Sequence, residues 1–222
     1  VVLFHAQQAF ANRFAEPAFA SESYLFAFGS VGVHIFFVIS GFIMVYTTRF
    51  EGGFDAKAFY RRRLLRIYPI YWLCMLLYII GHWLVREPYT ISMSELAGAM
   101  FLLPDNASAV IGPAWTLAFE MYFYLCFGLA MIAGLNRGLV LLASGFVLLI
   151  ATGLAVDNDS PAWHLVSNTL LLEFLAGTGI AWLLAKGHLP NSGGWLLVGV
   201  AAALFAGGIA YGYERLPSVL IW

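Results

Sequence analysis

Arg61-Arg62-Arg63-Leu64-Leu65-Arg66-Ile67-Tyr68-Pro69-Ile70-Tyr71-Trp72 is the stretch that decides how this chain is read. Four arginines in six residues run straight into an apolar segment, Ile67 to Val85, of the roughly 20-residue length that a helix needs to cross a bilayer. In a chain with nine arginines and two lysines, such a cluster fixes which side of the membrane is cytoplasmic. It also sets a standing positive charge at the mouth of the helix bundle that the segment joins.

Working outward, composition excludes a soluble domain. The chain is 62% hydrophobic and 10% charged, where a soluble domain carries about 25% charged residues. The expected class is all-α, a polytopic helical membrane bundle whose surroundings are membrane lipids. A net charge of −1, with its charges segregated, offers no surface for nucleic acid. Cys74 and Cys126 both fall inside apolar spans, so neither a disulfide nor a metal site is expected.

Seven spans are expected, at 1–12 (partial), 28–48, 67–85, 114–134, 138–156, 162–186 and 193–213. Pro and Gly punctuate the turns, as at Gly52-Gly53, Pro104, Gly112-Pro113, Pro161 and Gly193-Gly194. The apolar piece Leu96 to Leu103 is too short to span and reads as interfacial or re-entrant. With the arginine cluster inside, Arg49, Lys57, Arg61, Arg62, Arg63, Arg66, Arg137 and Lys186 are cytoplasmic, and only Arg13, Arg86 and Arg215 lie outside. That eight-to-three split supports the orientation. Tyr68, Tyr71 and Trp72 then read as belt aromatics near the inner edge. The half-length first run and the absence of an initiator Met predict a segment of a longer protein, one integral-membrane domain over residues 1–222 trimmed at both ends.

Two carboxylates, Glu120 and Glu173, remain inside spans after the loops are assigned, together with His5, His34 and His82. Ionisable groups in hydrocarbon are costly, which makes them functional candidates. At 1.5 Å per residue, His5, His34 and Glu120 each fall about 10 Å below the outer surface. Helical spacing places Thr116 and Tyr124 on the Glu120 stripe, and Thr169, Glu173 and Gly177 on another. A His beside a carboxylate is the smallest general-base unit, the acid orienting the imidazole that takes the proton. His5 is the candidate base and Glu120 its partner; against that, either could simply tie helices together by hydrogen bonds. An interhelical role suits His34, and a structural or pore-lining role suits Glu173, where Gly177 lets helices approach. Arg63 and Arg66, three residues apart, share one helix face and suit a phosphate, although a topogenic cluster needs no ligand. Arg62 and Arg63 can equally meet anionic lipid.

At these residues the chain resembles membrane acyltransferase family 3. Gly32-Val33-His34-Ile35-Phe36-Phe37-Val38-Ile39-Ser40-Gly41-Phe42 is similar to the family's second-helix signature, and Arg62-Arg63-Leu64-Leu65-Arg66-Ile67-Tyr68-Pro69 to its basic cytoplasmic motif. Trp115-Thr116-Leu117-Ala118-Phe119-Glu120-Met121-Tyr122-Phe123-Tyr124 resembles its tryptophan-to-glutamate motif, above all in the exopolysaccharide acetyltransferase branch. Glu173-Phe174-Leu175-Ala176-Gly177 resembles a later signature.

The resemblance implies an enzyme that moves an acyl group, usually acetyl, from cytoplasmic acyl-CoA as co-substrate to a carbohydrate hydroxyl at the outer face. The acceptor would be an exopolysaccharide, an O-antigen or a lipid-linked saccharide, and the location a bacterial inner membrane. His5 matches the family's first-helix histidine, Arg63 and Arg66 its donor-linked pair, and Glu120 its glutamate, with His34, Tyr124 and Glu173 as substrate or supporting residues. The family usually carries Asp where this chain has His34, so Glu120 must orient His5 or His34 must share the task. The family commonly has about ten spans. The expected arrangement holds the donor phosphates at the inner edge, about 15–20 Å from the base, with the flexible pantetheine arm threading between. His5 would either deprotonate the sugar hydroxyl or accept the acyl group itself. From a different class, buried Glu and His also suit a proton-coupled transporter of a sugar or small solute, which would show flux in vesicles without releasing thiol from acetyl-CoA. A non-catalytic sensor would do neither.

Overall fold

The computed structural model of the chain describes residues 31–50, 53–84, 90–156 and 158–188. Every regular element among them is helical: α1 (Val31–Phe50), α2 (Ala56–Leu84), α3 (Met93–Met100), α4 (Trp115–Met131), α5 (Leu135–Ala155), α6 (Pro161–Val166) and α7 (Leu171–Ala185), with a 3-10 turn, Gly112–Ala114, leading into α4. Four stretches are long and apolar enough to cross a membrane: Ala56–Leu84, Gly112–Met131, Leu135–Ala155 and Pro161–Ala185. A shorter apolar helix covers Gly32–Thr48. The all-α membrane class therefore holds, while the expected first and seventh spans lie outside the described residues. Large side chains such as Leu65, Ile70, Leu73, Leu77 and Trp83 of α2 point outward uncovered. In water that would be an apolar patch of unusual size; in a bilayer it is ordinary lipid-facing surface.

The chain groups into two compact units, one drawn from Val1–Tyr46 and Ala176–Trp222, the other Thr47–Leu175. In the first, α7 lies against α1 with nothing between the backbones. A Cβ built on Gly177 would overlap the Val38 carbonyl oxygen and stand 2.8 Å from the Phe42 amide nitrogen. Only hydrogen fits there, which is the close approach expected of this small residue.

In the second unit, α4 packs between α2 and α5. Phe123 organises the seam: its ring stacks on Phe174 at 4.2 Å and meets Phe127 at 5.7 Å and Phe146 at 6.3 Å. Asp55 starts α2, its side chain accepting from the Ala58 amide at 3.0 Å and its carbonyl from Phe59 at 2.9 Å. The helix therefore begins before the arginines, not after them as hydropathy implies, and carries all four of them. Its buried positions are Phe59, Arg63, Ile67, Tyr71 and Met75.

The short apolar piece lies against α2. Ser92 and Glu95 form a capping box at the start of α3. At its other end three aromatic side chains of α2 donate to three successive carbonyls: Tyr71 to Ala99 at 2.8 Å, Trp72 to Met100 at 3.0 Å and Tyr68 to Phe101 at 3.3 Å. Since α2 continues twelve residues past Trp72 to Leu84, about 18 Å, α3 ends beside the interior of α2. Irregular backbone follows at that level, and such backbone needs protein partners to satisfy its polar groups. It finds them locally too: Leu102 donates to Ala99 at 3.0 Å and Leu103 to Gly98 at 2.9 Å. Leu102 holds φ 55°, the left-handed position that usually falls to Gly, and its side chain is buried at 4% exposure, which offsets the cost. Tyr68, Tyr71 and Trp72, expected as belt residues, are thus caps for a second element.

Candidate functional site

The buried polar centre of the second unit is built on α4. Pro113 fixes the entry, the Thr116 hydroxyl donates back to its carbonyl at 2.9 Å, and a run of apolar residues carries the helix on. Glu120 and Tyr124, one turn apart, are 3% and 1% exposed. The Tyr124 hydroxyl donates to Glu120 Oε1 in a buried hydrogen bond. A carboxylate inside a membrane-crossing helix thus has a fixed donor on its own helix, as the expected stripe implies. Thr116, also on that stripe, is occupied by the helix start.

The far side of the Tyr124 ring belongs to Arg63. Its guanidinium carbon stands 5.5 Å from the Tyr124 centroid and 5.4 Å from that of Phe59, distances at which a cation is attracted to an aromatic face. Phe59 is itself held edge-on to Tyr124 at 6.4 Å and tilted against Phe127 at 5.7 Å. Gly128 lets α2 come this close, since a Cβ there would overlap the Tyr60 hydroxyl, which donates to the Leu125 carbonyl at 2.9 Å. Arg63 is 9% exposed, and its Nε is buried with no hydrogen-bond partner among the described residues.

Arg63 and Arg66, expected together on one face, are separated by burial: Arg63 is turned inward, while Arg61, Arg62 and Arg66 are exposed. Arg63 and Glu120 are joined through a single tyrosine ring; the expected gap of half a bilayer runs from the arginines to His5, which the described residues do not include. Residues three apart differ by about 60° around a helix, enough to put one on the seam and the other off it. Glu173 lies half-buried in the first turn of α7, where a negative charge is favoured. His34 lies half-buried in α1, in the other compact unit. His5 lies outside the described residues, and so does the level it was expected to share with Glu120.

Phe59 and Tyr60, which flank the arginines and hold α2 to α4, escaped the sequence reading; the spacing of four from Phe59 to Arg63 was the available signal. A cavity of about 300 Å³ beside the start of α4 also escaped it, lined among others by Pro104, Trp115, Phe119, His164 and Asn168. Among the described residues no three His, Cys, Asp or Glu side chains gather to hold a metal.

The acyltransferase domain family, family 3, matches residues 1–221. The chain belongs to this family. Among relatives, the exopolysaccharide production protein ExoZ of Rhizobium meliloti (strain 1021) is 30% identical over 188 residues, 82% of this chain and 57% of ExoZ. BcsY of Komagataeibacter xylinus, provisionally named a membrane-bound transacylase, is 27% identical over 199 residues, 81% of this chain and 51% of BcsY. The acyltransferase MdmB of Streptomyces mycarofaciens is 28% identical over 145 residues, 57% of this chain and 36% of MdmB. The chain spans about half the length of ExoZ and BcsY. No solved structure matches it. With its apolar helices, this family member is an integral membrane protein.

Proposed function

We propose that the chain serves the transfer of an acetyl group from acyl-CoA to a hydroxyl of a carbohydrate acceptor, an exopolysaccharide or a lipid-linked saccharide. The observation that carries this is Glu120, buried in a membrane-crossing helix of an acyltransferase-family chain and fixed there by Tyr124. The name of ExoZ supports the carbohydrate class. In this reading the membrane is a bacterial inner membrane with Arg61 to Arg66 on the cytoplasmic side.

The exposed Arg66, with Arg61 and Arg62 beside it, meets the phosphates of the donor, for which guanidinium groups are suited. His5 takes the proton of the acceptor hydroxyl, and Glu120 orients the imidazole and balances its positive charge. The oxygen bonds to the thioester carbonyl carbon, the carbon–sulfur bond breaks, and the CoA thiolate takes the proton from the imidazolium. An ester and free CoA result. The same balance holds if the imidazole first accepts the acyl group and then passes it to the hydroxyl.

The test uses the full-length protein in membranes with acetyl-CoA and the host's own glycans. Free thiol release, and acetyl esters on surface glycans lost on deletion of the gene and in His5→Ala, are the expected results. Absence of thiol release with unchanged glycans on deletion overturns the reading. Solute flux in vesicles without thiol release would point to a transporter instead.

A further inference from the structure

We propose that Arg63 is a positioning residue that acts on Glu120 through Tyr124, leaving the donor phosphates to Arg66 and its exposed neighbours. The inference rests on the reading of Glu120 as part of the reacting machinery. It parts two arginines that sequence alone treats as a pair.

Of the four clustered arginines, only Arg63 is buried. It lies on the buried stripe of α2, between Phe59 and Ile67. Two rings flank its guanidinium at 5.4 and 5.5 Å, so a phosphate would have to part Phe59 from Tyr124 to reach it on that side. Arg66, exposed, can be reached without moving any side chain of the core. A buried guanidinium is costly unless something nearby offsets it, and Arg63 Nε has no hydrogen-bond partner among the described residues. The flanking rings supply part of the compensation. The nearest carboxylate along the chain of contacts, Glu120, supplies the rest by way of the Tyr124 hydroxyl.

The same chain of contacts explains what Arg63 does for the acid. A cation over the face of a phenol draws electron density from the ring and strengthens the hydroxyl as a donor. A stronger donor holds the Glu120 carboxyl more firmly in the orientation from which it can meet an imidazole. In low dielectric these links are mutually reinforcing, so breaking either one should release the whole effect.

The experiment compares Arg63→Gln, Tyr124→Phe, their combination, Arg63→Lys and Arg66→Gln in the full-length protein. Arg63→Gln and Tyr124→Phe should each lower kcat about tenfold with the acetyl-CoA KM within about twofold, and the combination should lose about tenfold rather than a hundredfold. Arg63→Lys, which keeps the cation, should recover most of the rate, whereas Arg66→Gln should raise the donor KM about tenfold. Multiplicative loss in the combination, or a raised donor KM with unchanged kcat in Arg63→Gln, overturns the inference. A second readout needs no turnover: the infrared carboxyl stretch of Glu120, identified by its loss in Glu120→Gln. Its frequency should shift in the same direction in Arg63→Gln and in Tyr124→Phe relative to the parent protein. An unchanged Glu120 band in folded Tyr124→Phe overturns the inference even where Arg63→Gln fails to fold. Because that band is read without donor or acceptor, a wrong inference is distinguishable from a wrong assignment of the reaction.

Discussion

Tyr124 donates a hydrogen bond to Glu120 from one turn further along the same helix, and both side chains are buried. The pairing is intrahelical, so it survives any rearrangement that leaves α4 intact. What varies is the other face of the tyrosine, and there Arg63 sits.

Glu120→Gln separates a chemical role from an anchoring one. The amide keeps the size and can still accept from Tyr124, while the charge is lost. Acyl transfer should fall about a hundredfold or more, and the melting temperature in detergent should move by only a few degrees. Parallel loss of folded protein and activity would mean that Glu120 serves mainly to tie helices together.

Gly177→Ala and Gly179→Ala lie two residues apart on α7 and should differ in effect. The first places a methyl group on the Val38 carbonyl, and the second meets nothing within 4 Å. Overpacking of this kind costs about 1–3 kcal/mol, so detergent melting should drop for Gly177→Ala alone. Equal melting of the two variants would mean that α1 and α7 stand further apart.

The caps on α3 can be removed one at a time. Tyr71→Phe deletes the buried donor to the Ala99 carbonyl, which still accepts from Leu102, so the expected loss is about 1 kcal/mol. Removing the Tyr68, Tyr71 and Trp72 donors together should free the end of α3, read as faster hydrogen exchange at residues 98–103. Unchanged exchange in the triple variant would show that these donors do not hold α3.

At the start of α3, the Ser92 hydroxyl and amide hold the Glu95 carboxyl below its ordinary range. A depressed value means that the capping contribution is complete above the unfolded carboxylate value and is lost as pH falls through the folded one. The amides at 93–96 should therefore exchange faster, relative to α4, as pH is lowered into the acid range. Ser92→Ala should abolish that pH dependence; a dependence that persists would place its source elsewhere.

Much of this was legible in the order of residues. Hydropathy locates the bodies of α1, α4 and α5 because lipid contact imposes the same apolar requirement along a whole span. The Glu120–Tyr124 pair follows from a spacing of four. The start of α2 did not follow, because charges read as loop although nothing prevents an arginine from extending a helix past the lipid. The expected span at 162–186 matches the membrane-crossing stretch Pro161–Ala185, but its helix is interrupted between α6 and α7, where the Asn168 side chain accepts from the Leu170 amide at 2.9 Å, a local bond that no average over a window registers. The parting of Arg63 from Arg66 depends on where Phe59 and Tyr124 stand, and that is a tertiary fact.

The inward residues of α2 recur every fourth position from Phe59 to Met75. Four residues exceed one turn by about 40°, so over four such steps the protein-facing line spirals roughly 160° around the axis. One rod thus presents its first half to α4 and its second half to α3. Pro69 lies inside the helix between these two halves and removes one backbone hydrogen bond there, so a bend at that point would change the angle between the Arg63 and Tyr71 contacts.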